Sequence, residues 1–201
     1  MRELLIGTRN RHKTEEISRL LKDLPIKVRD LNEFPNIPPV KEDGKTLLEN
    51  SRKKANTYGG LTHLACLADD TGLEVEALNG APGVYSARYA GEDCSYSDNC
   101  SKLLGELGGN PNRRAAFKTV ISLYEHETGE VTTTEGVIEG EITRELRGTN
   151  GFGYDPIFLS KETGKTFAEM SLEEKNAVSH RARAVKKMIA ILEKKFTAPR
   201  K

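Results

Sequence analysis

LACLADDTGLEVEAL, residues 64–78, governs how the rest of the chain is read. The apolar run Leu64 to Ala68 meets two adjacent carboxylates, Asp69 and Asp70. Thr71 and Gly72 follow, and then Leu73, Val75 and Ala77 alternate with Glu74 and Glu76. The pattern predicts a buried strand ending at the aspartates, a turn, and a second, half-exposed strand. Neighbouring anions at the end of a core strand repel each other and resist desolvation. They ask either for a cation or for backbone N–H groups that they cap in the turn.

Upstream, ELLIG (3–7) reads as a short buried strand and Thr8 to His12 as a polar turn. Ile17, Leu20, Leu21 and Leu24 then recur at helical spacing. FPNIPPV (34–40) is too rich in proline for a regular element. TLLENSRKKANTYGG (46–60) reads as a helix with Leu47, Ser51 and Ala55 on one side, stopped by Gly59-Gly60. Downstream, NGAPGVYSARYAG (79–91) and RGTNGFGYDP (147–156) are glycine-rich loops, and SYSDNCSKLLGEL (95–107) is helical. Two β-rich segments meet across HETG (126–129), a hairpin, and IFL (157–159) is a short strand. Val178, Ala182, Val185, Ile189, Leu192 and Phe196 mark a final amphipathic helix, with TAPRK (197–201) expected to fray. Strands alternating with helices, plus one hairpin, predict a single α/β domain over residues 1–196.

The 201 residues suffice for one sizeable core. With 31 basic and 30 acidic residues the net charge is +1, which lacks the basic excess of a non-specific nucleic-acid binder. Any affinity for anions must be local. Cys66, Cys94 and Cys100 have no metal-ligand spacing and are odd in number, and Cys66 reads as a core residue. No apolar stretch approaches the roughly 20 residues of a membrane span, and the polar N-terminus does not resemble a signal peptide. A cytoplasmic location is the expectation.

Five stretches could carry chemistry. Thr8, Arg9, Asn10, Arg11, His12 and Lys13 form a strand-to-helix turn, whose N–H groups and helix dipole suit a phosphate, or which is only a polar surface turn. EDGKTLLENSRKKA offers Glu42 near a helix entry, and Glu49, Asn50 and Lys53 on one helix side, equally readable as a surface ion pair. Asp69 and Asp70, with Glu42, could supply the one or two carboxylates that Mg²⁺ takes alongside substrate phosphates. In GTNGFGYDP, Gly148, Gly151 and Gly153 permit close approach, Phe152 and Tyr154 offer flat faces, and Asp155 offers acceptors; a tight loop with a core aromatic is the alternative. Lys175 and Ser179-His180-Arg181 place an N-cap and donors at the last helix, or mere surface charge.

In this order the segments TRNRHKTEE, EDGKTLLENSRKKA, ADDTGLEVEALNGAPGVYSARYAG, RAAF, GTNGFGYDPIF and KTFAEMSLEEKNAVSHR resemble the inosine triphosphate pyrophosphatase (XTP/dITP diphosphatase) family over nearly the whole chain. The resemblance implies an elongated, two-lobed α/β fold with a twisted mixed sheet flanked by helices. It implies a homodimeric, Mg²⁺-dependent enzyme with at least one ion per subunit, which cleaves ITP, dITP or XTP to the monophosphate and pyrophosphate. By motif position, Thr8 to Lys13 and Lys53 would hold the triphosphate. Glu42 and Asp70 would bind the metal, with Asp70 also the proton acceptor. Thr71, Phe152, Gly153, Tyr154, Asp155, Lys175, His180 and Arg181 would contact the nucleotide. Thr71 stands where the family usually has serine, and Asn150 where it usually has glycine. Two rival readings are a Maf-like pyrophosphatase with another base preference and a catalytically silent nucleotide binder.

Overall fold

Alternation along the first strand sets the architecture. β1 (Arg2–Ile6) buries Leu4 and Ile6 in one apolar cluster and Leu5 in another, so helices or loops must cover it on both faces. The computed structural model describes residues 2–197, the last two by backbone alone. The tail expected to fray therefore lies outside the description, apart from the Thr197 backbone that closes the final helix.

β1 pairs in parallel with β2 (Ile26–Asp30) and with β3 (Ala65–Val75). One face is covered by α1 (Arg11–Leu21) through Ile17 and Leu21, and by α5 (His180–Thr197) through Ala184, Val185, Met188 and Leu192. On the other, Leu5 and Cys66 pack with Leu31, Tyr58 of α2 (Leu47–Thr62), and Phe34, Ile37 and Val40 of the proline-rich loop. Burial pushes the Cys66 thiol well above its usual pKa, in keeping with an inert core residue.

The sheet continues from β3 to β5 (Arg114–Tyr124), β6 (Val131–Ile142) and β7 (Phe158–Ser160), giving the order β2-β1-β3-β5-β6-β7, while β4 (Pro82–Gly83) pairs antiparallel with β3. β6 and β7 are antiparallel, so the sheet is mixed. The expected hairpin joins β5 to β6, closed by the Glu125 N–H on the Glu130 carbonyl at 3.0 Å. Among the described residues this makes seven strands and five α-helices, including α3 (Tyr96–Leu107) and α4 (Leu172–Val178).

Contacts divide the chain into two units. One comprises Met1–Asp70, Thr119–Gly136 and Arg181–Lys201; the other comprises Thr71–Lys118 and Val137–His180. The second has its own core, in which Leu73 and Val75 meet Leu103 and Leu107 of α3 and the rings of Phe117, Phe158 and Phe167.

Three boundaries differ from the sequence expectation. Asp69 and Asp70 do not end a strand, because β3 runs through them for 11 residues. Gly59 and Gly60 do not stop α2, which continues to Thr62 and ends with His63 in the left-handed region at φ 57°. Gly59 is there for close packing: a Cβ would lie 2.2 Å from Cδ1 of Tyr124. Finally, the helical spacing begun at Val178 spans two helices, since Ser179 is extended (ψ 157°) and α5 starts at His180.

Candidate active site

The pleat of β3 sorts its two aspartates. Successive side chains on a strand point to opposite faces, so Asp69 shares the side of Leu67, towards α1 and α5, while Asp70 shares that of Cys66 and Ala68, towards α2. Their partners follow this division. Asp69 Oδ2 lies 3.1 Å from Lys13 Nζ and 3.2 Å from both Nε and Nη2 of Arg181. Arg181 is wholly buried and also pairs with Glu16 of α1. Burial would raise the Asp69 carboxyl, but Lys13, Arg181 and Lys54 outweigh it and hold the group well below the usual carboxylate range.

On the other face, Asp70 Oδ1 lies 3.2 Å from Lys54 Nζ, which also reaches Glu42 Oε2 at 2.9 Å. Asn50 donates to Asp70 Oδ2 at 3.1 Å and accepts from the Gly44 N–H at 2.8 Å, tying the loop just after Glu42 to the strand. The two carboxyl groups are in hydrogen-bonding contact with each other. At Glu42 burial acts upwards, yet Lys54 and the bond to Asp70 prevail and hold the group below its usual range. At Asp70 burial prevails, reinforced by Glu42, and the carboxyl is pushed up to about 6. Two hard oxygen donors crowded onto one ammonium form a donor set that suits Mg²⁺, which takes one or two protein carboxylates and keeps waters or phosphates for its other positions. Among the described residues no group of three or more His, Cys, Asp or Glu side chains forms a protein-only metal cage.

Lys53, expected at the phosphates, is not in this cluster. It is exposed and pairs with Asp43 at 2.5 Å. The buried face of α2 carries Leu47, Asn50, Ser51, Lys54, Ala55 and Tyr58 instead. Lys54 stands three residues after Ser51 and four before Tyr58, so the helical period places Lys54 inward and Lys53 outward. A lysine within an apolar helical stripe was the available signal, and Asn50 on the same stripe was the second.

The strand-to-helix turn is largely satisfied within itself. The Asn10 side chain caps α1, accepting from the N–H groups of His12 at 3.1 Å and Lys13 at 3.4 Å, while the Thr8 hydroxyl accepts from the Asn10 N–H at 3.2 Å. Arg11 and His12 are exposed. The Arg9 guanidinium does not join the carboxylates: it donates to the carbonyls of Leu31, Phe34 and Ile37 at 3.3, 3.1 and 2.6 Å.

The second unit brings together another set of the expected residues. Lys175 Nζ meets Asp155 Oδ2 at 2.5 Å and lies 4.8 Å from the Phe152 ring centroid. The same carboxylate accepts from the Phe152 N–H at 2.8 Å. Gly151 has φ 74°, and a Cβ there would stand 2.0 Å from Asp155 Oδ2, so this turn requires glycine. Gly153 has φ 65°, and its carbonyl accepts from Cys100 Sγ at 3.3 Å. Phe152 is half-buried, with the Tyr96 ring 5.9 Å from its own. Tyr154 is buried in the core and its hydroxyl donates to the Ser86 carbonyl at 2.9 Å. The His180 ring is buried, stacked at 4.6 Å and 10° on Phe117 and at 5.8 Å on Phe167. Thr71 is half-buried on β3. Asn150 is not in the left-handed region; its side chain donates to the Met170 carbonyl at 3.0 Å and anchors the loop.

A family model described as "Ham1 family" matches residues 4–191. The chain belongs to the Ham1 family. Members of known structure carry the same fold: a HAM1 protein from Coxiella burnetii aligns with a TM-score of 0.88 at 42% identity, covering 96% of this chain and 100% of its own. The Ham1 protein of Staphylococcus aureus gives 0.86 at 40% identity, with the same coverage. The Geobacter sulfurreducens protein named dITP/XTP pyrophosphatase is 50% identical over 92% of this chain and 94% of its own length. The Syntrophobacter fumaroxidans protein of the same name is 53% identical over 90% and 78%. These Ham1 relatives extend across both groups of residues described above.

Proposed function

We propose that this protein is a nucleoside triphosphate pyrophosphatase that hydrolyses deaminated purine nucleotides (dITP, ITP and XTP) to the monophosphate and pyrophosphate. The observation that carries the reading is the buried cluster of Glu42, Asp70 and Lys54, in a chain whose relatives bear the name dITP/XTP pyrophosphatase. Glu42 and Asp70 would hold Mg²⁺, which when bound neutralises phosphate charge and favours in-line attack by water.

The chain's own groups do the rest. Asp70 takes the proton of the attacking water; in the metal-free protein burial pushes its carboxyl up to about 6, still ionised at neutral pH. Asn50 fixes the orientation of that carboxylate through its Oδ2. Lys54 and Lys13 stabilise the charge that accumulates on the departing pyrophosphate. Glu16 anchors Arg181, Arg181 holds Asp69, and Asp69 in turn positions the Lys13 ammonium. The hydroxyl of Thr8 and the exposed Arg11 and His12 are assigned to the outer phosphates.

In the second unit, Phe152 is assigned to stack on the base, with Asp155, Lys175 and His180 supplying hydrogen-bonding groups and Thr71 and Gly153 lining the nucleotide. Recognition of a 6-keto purine by such donors rejects adenine, whose amino group leaves them unpaired. The protein is proposed to act as a single catalytic domain over 1–196, as a homodimer in the cytoplasm. No helix among the described residues is long and apolar enough to cross a membrane.

Product analysis tests the reading. With Mg²⁺, ITP and XTP should give the monophosphate and pyrophosphate, with ATP, GTP and dTTP much slower. Orthophosphate and a diphosphate would move attack to the terminal phosphorus and overturn the mechanism. No turnover of any would leave the silent binder.

A further inference from the structure

Two exposed histidines that the proposed pyrophosphatase chemistry does not use meet on the surface of the first unit. His63 Nδ1 and His126 Nε2 face each other at 3.3 Å. Two bonds of 2.0–2.1 Å from imidazole nitrogens to one tetrahedral ion span about 3.3–3.4 Å between the nitrogens. The observed gap, now bridged by a hydrogen bond between the rings, equals the bite of a single ion. The rings meet at 71° with centroids 4.8 Å apart, closer than a head-on N–H···N approach would leave them. The ring axes therefore lean off the line joining the nitrogens, which share one N–H···N hydrogen bond. Both residues are exposed, so an ion and its waters have access.

The backbone sets both rings. His63 ends α2 with φ 57°, a conformation that glycine or asparagine takes at lower cost. His126 opens the β5–β6 turn, whose geometry is fixed by the Gly129 N–H on the Glu125 carbonyl at 2.8 Å and by Gly129 at φ 73°. Two separately anchored elements thus present one nitrogen each, 63 residues apart in sequence.

We propose that His63 and His126 form a binding site for a borderline divalent transition metal such as Zn²⁺ or Ni²⁺, completed by water and distinct from the carboxylate site. Imidazole ligands select these ions over Mg²⁺, which prefers oxygen. Binding needs both facing nitrogens unprotonated. The one proton now shared between the two rings moves through solvent to the outer nitrogen of its own ring, and no proton is lost overall. An ion bound there staples the end of α2, the helix that carries Asn50 and Lys54, to the hairpin.

Calorimetric titration with ZnCl₂ of the full chain tests the proposal in four forms: wild type, Asp70→Asn, His63→Asn and His126→Gln. Asparagine is chosen at 63 because it tolerates the left-handed backbone, and His63→Gly replaces it should that variant fold poorly. The expected result is a saturable one-to-one event that persists in Asp70→Asn and weakens at least about tenfold in each histidine variant. Persistence in either histidine variant overturns the shared site. So does a wild-type isotherm whose only event disappears in Asp70→Asn.

Discussion

The Lys54 ammonium lies 3.2 Å from Asp70 and 2.9 Å from Glu42, inside the protein, whereas its neighbour Lys53 is turned outward to Asp43. One residue of helical phase separates a buried charge from an exposed one. Lys54→Ala should lower kcat for ITP by about 10²–10³, the cost of removing a group aimed at developing charge. Lys53→Ala breaks only an exposed pair and should change kcat/KM by no more than about fivefold. Pyrophosphate release measured on the two variants decides the assignment, and equal losses would contradict it.

Asp70 couples activity to stability with opposite signs. Its folded pKa, about 6, exceeds the ordinary aspartate value of 3.8. The folded state therefore binds more protons than the unfolded state between those values, and this group's contribution to stability falls as pH rises through them. The cost is absent below about pH 4 and complete above about pH 6–7. Asp70→Asn removes it. In EDTA the variant should melt higher than wild type at pH 7.5, by an amount on the order of 1–3 kcal/mol, and the difference should vanish near pH 4. With Mg²⁺ and ITP the same variant should lose about 10²–10⁴-fold in turnover. A lower melting point at pH 7.5 would show that the loss of the Lys54 pair outweighs the relief of burial.

The two glycines of α2 make a paired test. Alanine is favoured over glycine in a helix by roughly 1 kcal/mol, and at Gly60 nothing lies within 4 Å of the added Cβ. Gly60→Ala should stabilise by about 0.5–1 kcal/mol. At Gly59 the same methyl enters the ring of Tyr124 and comes within 3.2 Å of Cys66 Cβ, so Gly59→Ala should destabilise by about 1–3 kcal/mol. Urea denaturation of both variants should show shifts of opposite sign.

Much of this was legible because periodicity reports burial. The alternation and helical spacings located β1, α1, α3, the β5–β6 hairpin and the apolar face of α5. What escaped was set by tertiary partners. DDTG reads as a turn by composition, but β3, which lies between β1 and β5 in the sheet, runs through it as strand, and the charges survive burial because Lys13, Arg181, Lys54 and Asn50 meet them. Gly59-Gly60 reads as a helix stop because the ring that needs the space, Tyr124, is 65 residues further on. The resemblance to the inosine triphosphate pyrophosphatase family named Glu42 and Asp70. It also named Lys53, whereas the lysine that faces those carboxylates is Lys54, and it placed Tyr154 and Arg181 against the nucleotide, although both are held in the protein interior.

Arg9 offers the last test, because its identity suits a phosphate and its contacts do not. Its guanidinium spans the carbonyls of Leu31, Phe34 and Ile37, which open the loop that leads to Glu42. A lysine keeps the charge but cannot reproduce a planar fork of donors on three fixed acceptors. Arg9→Lys should therefore speed amide exchange across residues 34–42 and lower kcat by roughly tenfold, since Glu42 would be held less closely. KM for ITP should change little. If instead Arg9 turns to the triphosphate during turnover, the variant would raise KM and leave exchange in the free protein unaltered. Hydrogen exchange and steady-state kinetics on the same preparation separate the two, because one reads the loop without nucleotide and the other reads the nucleotide directly.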